Sequence, residues 1–430
     1  MGELKAPRGT ADILPGESEL WLRVERAVRE VCRAAGYGEI RTPIFEHTEL
    51  FERGVGAVTD IVEKEMYTFE DKAGRSMTLR PEGTAPCMRA YLEHNMRTLP
   101  QPVKMYYIGP MFRYERPQSG RFRQHTQFGV EAIGSPDPAL DAEVVSILVD
   151  VYRRLGLSGF VVHLNSIGCP QCRPRYKEAL ARAVEARADD LCPDCRRRLG
   201  RNPLRILDCK NETCREISGN VPTIFGFLCE ECRKHFDDVT RYLENLGLDH
   251  EIDSRIVRGL DYYTKTVFEV VHGSLGAQDV LGGGGRYDGL AEDLGGKHTP
   301  GVGFAAGIER AVMVLRALGS PPVEAETGAG IVVFVAIVGM EARAEGFRLV
   351  NALRARGVPA DLDYMNRSLK AQMKHAGRCG ARKVVILGAE ELEARMATVK
   401  DMSTGEQSRV ALSELVRVLS EGGNGAVDWR

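Results

Sequence analysis

The apolar positions of the chain keep two rhythms. Leu20, Val24, Ala27, Val28, Val31 and Ala35 recur at helical spacing and predict a helix with one buried face, stopped at Gly36. The same spacing predicts helices over 85–94, 139–155 and 309–318. Between them, 76–79, 103–113, 128–133, 160–164, 267–271 and 301–306 alternate with period two and predict strands. The stretch 37–46 is also strand-like but holds Pro43, which cannot donate to a central ladder and so belongs at an edge or a subunit boundary. Strands of this kind, joined by long returns, predict an α+β fold with a mixed or antiparallel sheet carrying helices.

Two stretches break that pattern. From Cys169 to Phe236 the chain is rich in Cys, Arg and Glu and poor in large apolar residues, too little core to stand without help. After Ser320-Pro321-Pro322, a polar stretch ends at Gly330. Strands over 331–338, 360–363 and 383–387 then alternate with helices over 342–356 and 369–379, predicting a small α/β domain. The expected division is 1–168 with 237–320, an insertion at 169–236, a linker at 321–330 and a last domain at 331–430. A length of 430 residues suits such a multi-domain chain.

Charge narrows the function classes. Lys+Arg total 58 against 60 Asp+Glu, so a globally basic nucleic-acid coat is excluded while a local one is not. Arg113, Arg116, Arg121 and Arg123 form one such local concentration, and Arg196, Arg197, Arg198, Arg201 and Arg205 another. The longest apolar run, 331–338, is too short to span a bilayer, and residues 1–19 lack the apolar core of a signal peptide. A cytoplasmic protein without membrane partners is expected. Of 11 cysteines, eight lie in four close pairs: Cys169 and Cys172, Cys192 and Cys195, Cys209 and Cys214, Cys229 and Cys232. In a reducing compartment such pairs point to metal rather than disulfides. Eight thiols suffice for two tetrahedral zinc sites, or they are reduced thiols packed as small hydrophobes. The spacing leaves the pairing between sites open.

Several segments concentrate chemistry. No P-loop pattern occurs, and Gly301-Val302-Gly303-Phe304-Ala305-Ala306 matches a dinucleotide fingerprint without the acidic residue that would take a ribose hydroxyl. Gly282-Gly283-Gly284-Gly285 weakens any strand or helix; followed by Arg286-Tyr287-Asp288, it reads as a ligand loop rather than a hairpin turn. Arg258-Gly259-Leu260-Asp261-Tyr262-Tyr263-Thr264 gathers an arginine, an acid and two phenols, each unremarkable alone. Arg80-Pro81-Glu82-Gly83-Thr84 is a similar cluster. The arginine-rich stretch 112–128 reads as a hairpin arm, cationic and partly aromatic, suited to polyphosphate and nucleic acid.

In this order, these segments resemble the histidyl-tRNA synthetase family. The Pro43 strand is similar to the first class II synthetase motif, the Arg113 hairpin to the second and the segment from Gly303 to Arg310 to the third. Leu362-Asp363-Tyr364-Met365 and Ser368-Leu369-Lys370-Ala371-Gln372-Met373 are similar to the family's anticodon-binding domain. The resemblance implies ATP-dependent activation of histidine to histidyl-adenylate and transfer to the 3′ end of tRNA(His). It implies ATP with Mg²⁺ and a homodimer through the catalytic domain. Arg258, Arg113 and Arg310 are then the expected catalytic arginines, and Arg113, Glu115 and Arg310 the ATP-binding set. Glu82, Gly83, Thr84, Gln127, Glu131, Arg258, Tyr262 and Tyr263 are expected to bind histidine, with the glycine run closing over it. Arg116 and Gln118 are expected at the tRNA acceptor end. The competing reading is a regulatory subunit of ATP phosphoribosyltransferase; such proteins lack the anticodon domain and erode these motifs, and both are intact here.

Overall fold

All but the first of the period-two segments close into one mixed sheet. The computed structural model describes residues 3–57, 59–118, 120–274, 280–319 and 331–421, so the expected linker at 321–330 lies outside the described residues. Two compact units divide the chain, 1–320 and 321–430. In the first, β1 (Gly38–Glu39), β2 (Phe45–His47), β3 (Tyr67–Glu70) and β4 (Ser76–Leu79) lead to the long pair β5 (Val103–Phe112) and β6 (Gln124–Ile133). Then come β7 (Phe160–Ser166), β8 (His250–Ile252), β9 (Thr264–His272), β10 (Val280–Arg286) and β11 (Gly301–Gly307). Eight of them form a sheet in the order β1-β5-β6-β11-β10-β9-β7-β8, antiparallel except at its two edges. A small sheet, β2-β4-β3, stands apart. Pro43 falls between the edge strand β1 and β2, where its missing N–H breaks no ladder.

Period two gives the large sheet two different faces. One carries Phe128, Val130, Ala132, Phe268, Val270, Val302, Phe304 and Ala306, all buried in the main core. Helices Ser18–Ala34, Pro138–Arg154 and Ile308–Ala317 cover it with Val24, Val28, Val144, Leu148, Val151, Val312 and Leu315. Asp137 caps the second of these, accepting from the Ala139 amide at 2.9 Å, with Pro138 at the first turn. The other face carries few large side chains and holds the polar groups described below.

The glycine run is not a loop. Gly282 to Gly285 are the middle of β10, paired on one side with Val270 to Val267 and on the other with Ala306 to Gly303. Glycine is required there by close approach: a Cβ on Gly284 would lie 2.0 Å from the Gly303 carbonyl, and one on Gly285 would lie 2.4 Å from that of Thr266. Arg286 is likewise no ligand arm. It is fully buried and bonded to Asp141 and Asp288, the structural fate of a charge that has two carboxylates inside the fold.

The insertion has more core than its composition suggests. Tyr176, Leu180, Val184, Leu191, Ile206, Ile217 and Ile224 form a buried cluster among helices Arg173–Glu185, Pro193–Arg201 and Glu212–Gly219. Its apolar residues are sparse but nearly all converge.

The second unit is a five-stranded sheet of β12 (Val333–Ile337), β13 (Ala360–Leu362), β14 (Lys383–Leu387), β15 (Met396–Asp401) and β16 (Gln407–Ala411). Its order is β13-β12-β14-β15-β16, parallel at β12 and antiparallel beyond β14. Every residue of β12 is buried, as expected of a parallel strand covered on both faces. The Gln372 side chain brackets its end, accepting from the Ile337 amide at 2.8 Å and donating to the Ile337 carbonyl at 2.7 Å.

Candidate active site

The register of the sheet assembles the site. Gln127, Gly129 and Glu131 share one face of β6, opposite Gly109, Tyr107 and Met105 of β5 and Gly307, Ala305 and Gly303 of β11. The same face continues through Gly283 of β10 to Glu269 of β9. The result is a floor of small residues with acids set into it. Crowding explains several of the glycines: a Cβ on Gly303 would lie 2.0 Å from Glu131 Oε2, and one on nearby Gly83 would lie 2.3 Å from the Tyr107 ring.

Over this floor the expected histidine-binding residues meet. Glu82 accepts the amides of Thr84 and Ala85, both at 2.8 Å, at the start of helix Thr84–Glu93, where the helix favours an anion. Tyr262 Oη donates to Glu82 at 3.3 Å, and Thr84 Oγ1 donates to Glu131 at 2.7 Å. Tyr287 Oη donates to the second Glu131 oxygen. Burial pushes the Glu131 carboxyl up to about 8 and raises Glu82 as well. The Tyr262 and Tyr263 rings pack with centroids 4.7 Å apart. Arg258 pairs with Glu269 and reaches the Gly283 carbonyl at 3.4 Å, so its guanidinium lies on the floor. Tyr107 Oη, Gln127 Oε1 and Arg258 Nε are buried without hydrogen-bond partners among the described residues, unmade bonds that a polar ligand can complete. Tyr107 and Glu269 belong to the site without having been expected there, and Tyr287, expected in a ligand loop, enters it from just past β10. The signal for Tyr107 and Glu269 was strand parity, which places them on the face of Gln127 and Glu131.

Beside it lies a cationic arm. Arg113, just past β5, donates to the Pro81 carbonyl at 2.8 Å, next to Glu82. Arg310, in the first turn of its helix, donates to the Gly120 carbonyl at 3.3 Å and the Val280 carbonyl at 2.5 Å. Burial lowers the Arg310 pKa, and the nearby charges of Arg121 and Arg113 lower it further while Glu115 opposes them. Cations that repel one another in a part-buried place are stabilised by a polyanion. His125 adds no charge, since burial with Arg113 and Arg310 holds it down at about 3. Glu115 faces Arg121 at 3.2 Å. Arg116 and Gln118 stand apart, exposed at the hairpin tip.

The eight paired cysteines resolve into two groups. Cys169, Cys172, Cys229 and Cys232 bring their sulfurs together, and so do Cys192, Cys195, Cys209 and Cys214, within 4.8 Å in each group. Sγ separations of 3.5 Å (Cys169–Cys172) and 3.9 Å (Cys192–Cys209) bracket the edge of about 3.8 Å that tetrahedral zinc–thiolate bonds of ~2.3 Å require. Backbone amides already point at sulfur: Cys229 N–H to Cys172 at 3.0 Å and Cys192 N–H to Cys214 at 3.3 Å. Burial alone would raise the Cys192 thiol, but hydrogen bonds from Cys195 and its neighbours bring it down to about 7. The donor set fits a soft tetrahedral cation.

An antiparallel sheet with an arginine hairpin, a ligand floor of glycines and acids, and a strand-to-helix arginine is the catalytic architecture of a class II aminoacyl-tRNA synthetase. A family model described as histidyl-tRNA synthetase matches residues 9–184 and 227–311, and one described as an anticodon-binding domain matches 332–422. The chain belongs to the histidyl-tRNA synthetase family. It is 55% identical to the histidine–tRNA ligase of Desulforamulus reducens over 95% of this chain and 97% of that protein. It is 54% identical to that of Desulforudis audaxviator over 98% of this chain and all of that protein. The crystal structure of apo histidyl-tRNA synthetase from S. aureus superposes with a TM-score of 0.81 at 40% identity, covering 97% of this chain and 100% of that one. Among the described residues, no helix is long and apolar enough to cross a membrane.

Proposed function

We propose that this chain is a histidine–tRNA ligase working in two steps. The histidine carboxylate attacks the α-phosphorus of ATP, the bond to the pyrophosphate breaks, and histidyl-adenylate remains. The 3′-terminal hydroxyl of tRNA(His) then attacks the acyl carbon and AMP leaves. The observation that carries this reading is one sheet face joining an acid-lined polar pocket to a cluster of part-buried, mutually repelling arginines.

Glu82 takes the α-ammonium group; its two amide bonds leave lone pairs on both oxygens. Glu131, with Thr84 and Tyr287 holding its oxygens, meets the imidazole together with Gln127 and Tyr263. A buried pocket built to bond two ring nitrogens rejects side chains that cannot fill those bonds. Arg258, oriented by Glu269, bridges the carboxylate and the α-phosphate, where charge builds up in the transition state. Arg113 and Arg310 hold the phosphates. Glu115 would hold Mg²⁺, which neutralises the departing pyrophosphate. Arg116 and Gln118 read the acceptor end, and residues 331–430 the anticodon. The exposed Ile44, Phe45 and Phe69, at the small sheet β2-β4-β3, support a homodimer through the catalytic unit, in the cytoplasm. The two cysteine groups hold structural zinc; protein purified without chelator is expected to carry two ions per chain, and a metal-free preparation with a folded insertion would refute this.

The deciding experiment is exchange of labelled pyrophosphate into ATP. Histidine should support it and the other amino acids should not. Exchange that is independent of histidine, or absent, would overturn the reading.

A further inference from the structure

The tyrosine pair of the histidine pocket is held from outside the pocket. Tyr262 and Tyr263 precede β9, and the chain enters that strand through Lys265, a non-glycine residue in the left-handed region at φ 52°. Such a turn persists only where its surroundings hold it. Residues 167 and 168, just before Cys169, supply one grip. The Ile167 amide donates to the Lys265 carbonyl at 2.8 Å. The Gly168 carbonyl accepts the Lys265 amide at 3.0 Å and Thr264 Oγ1 at 3.2 Å.

Arg173, just after Cys172, supplies the other. Its guanidinium donates to the carbonyls of Ile167 and Gly168, each at 3.4 Å, and to that of Tyr263. The two grips flank a single knuckle, Cys169 to Cys172, whose sulfurs belong to the group closed by Cys229 and Cys232. The Gly168 conformation is part of the same joint: its φ is +67°, and a Cβ there would lie 2.9 Å from Cys172 Cβ. Among the described residues Arg173 makes no ion pair with a carboxylate; its hydrogen bonds go to main-chain carbonyls. Four thiolates around a divalent cation would carry net negative charge beside it, adding to the charge of Asp261 nearby.

We propose that Arg173 is a positioning residue for histidine recognition: anchored on the Cys169–Cys172 knuckle, it clamps the Tyr263 carbonyl and thereby fixes the Tyr262–Tyr263 segment over the pocket. The inference rests on Tyr262 and Tyr263 lining the histidine site. Arg173 touches no reacting atom, so its loss weakens histidine binding and leaves ATP binding alone.

The test is steady-state pyrophosphate exchange by full-length, metal-replete protein with Arg173→Ala and Arg173→Lys. A charge-assisted bond lost beside the pocket should raise the KM for histidine about tenfold or more in the alanine variant. The KM for ATP should stay within about twofold and kcat should change less than the histidine KM. Lysine keeps the charge but not the fork, so its histidine KM should fall between those of alanine and wild type. Unchanged histidine KM in both variants, or equal rises in both KM values, would overturn the proposal. Should the alanine variant fail to fold, lysine decides alone by the same split. Wild-type enzyme run in parallel separates the two readings: without histidine-dependent exchange there, the function itself fails, whereas normal wild-type exchange with indifferent variants sinks only the role of Arg173.

Discussion

Burial holds a proton on Glu131 at neutral pH, and among the described residues its carboxyl bonds to the hydroxyls of Thr84 and Tyr287 rather than to a cation. The folded protein therefore binds a proton that the unfolded chain releases near the ordinary glutamate value of 4.5. Stability due to this residue falls as pH rises from there through about 8. Glu131→Gln cannot ionise, so its unfolding midpoint should decline less than that of wild type between roughly pH 5 and 8. Parallel declines in thermal melts would show that the carboxyl does not titrate in this range. The same variant should bind histidine more weakly. Arg258→Ala should lose adenylate formation by two to three orders of magnitude or more, since a lost transition-state contact costs about 3–4 kcal/mol in comparable sites. Near-normal exchange in a folded Arg258→Ala protein would exclude its bridging role. Arg258 stood out in the sequence because it sits in a short run with Asp261 and two tyrosines. Glu269, its partner, did not, since an acid at one position of an apolar strand reads as a solvent-facing residue until the register is known.

At the scale of elements, the strands and helices were legible wherever one face is apolar and the other polar. The helix beginning at Ser18 and the pair β5–β6 are examples, with ends within a few residues of the expected ones. The glycine run failed for a physical reason. Local propensity argues against a strand of glycines, yet neighbouring carbonyls leave no room for any other residue, a tertiary demand that propensity cannot express. A direct check compares two glycines. Gly303→Ala places a methyl 2.4 Å from the Val130 carbonyl as well as against Glu131, and should cost roughly 1–3 kcal/mol in denaturant melts. Gly200→Ala, in helix Pro193–Arg201 with nothing within 4 Å of the new Cβ, should instead stabilise by about 0.5–1 kcal/mol. Equal effects at the two sites would mean that crowding does not decide where glycine stands. The antiparallel strands β15 and β16 were missed because Thr398, Lys400, Ser408 and Arg409 dilute their apolar positions below a recognisable alternation.

For the whole molecule, the chain forms two compact units, each with its own core, to which the proposed function assigns activation and anticodon contact separately. Deleting 331–430 should leave histidine-dependent pyrophosphate exchange measurable while charging of tRNA(His) falls sharply. Full-rate charging by the truncated chain would contradict that separation. The arrangement of the cysteine groups carries a consequence for how the chain acquires its shape. Cys192, Cys195, Cys209 and Cys214 lie wholly inside the stretch bounded by Cys172 and Cys229, so one clasp is nested within the other like paired parentheses. The inner clasp can close as soon as Cys214 has been synthesised, whereas the outer must wait for Cys232. Closing the inner one first also shortens the span that the outer must bring together, an entropic saving of about 0.4 kcal/mol. On the proposed zinc reading, ions should be captured in sequence during synthesis, inner before outer, the last at the Cys169–Cys172 knuckle beside Arg173.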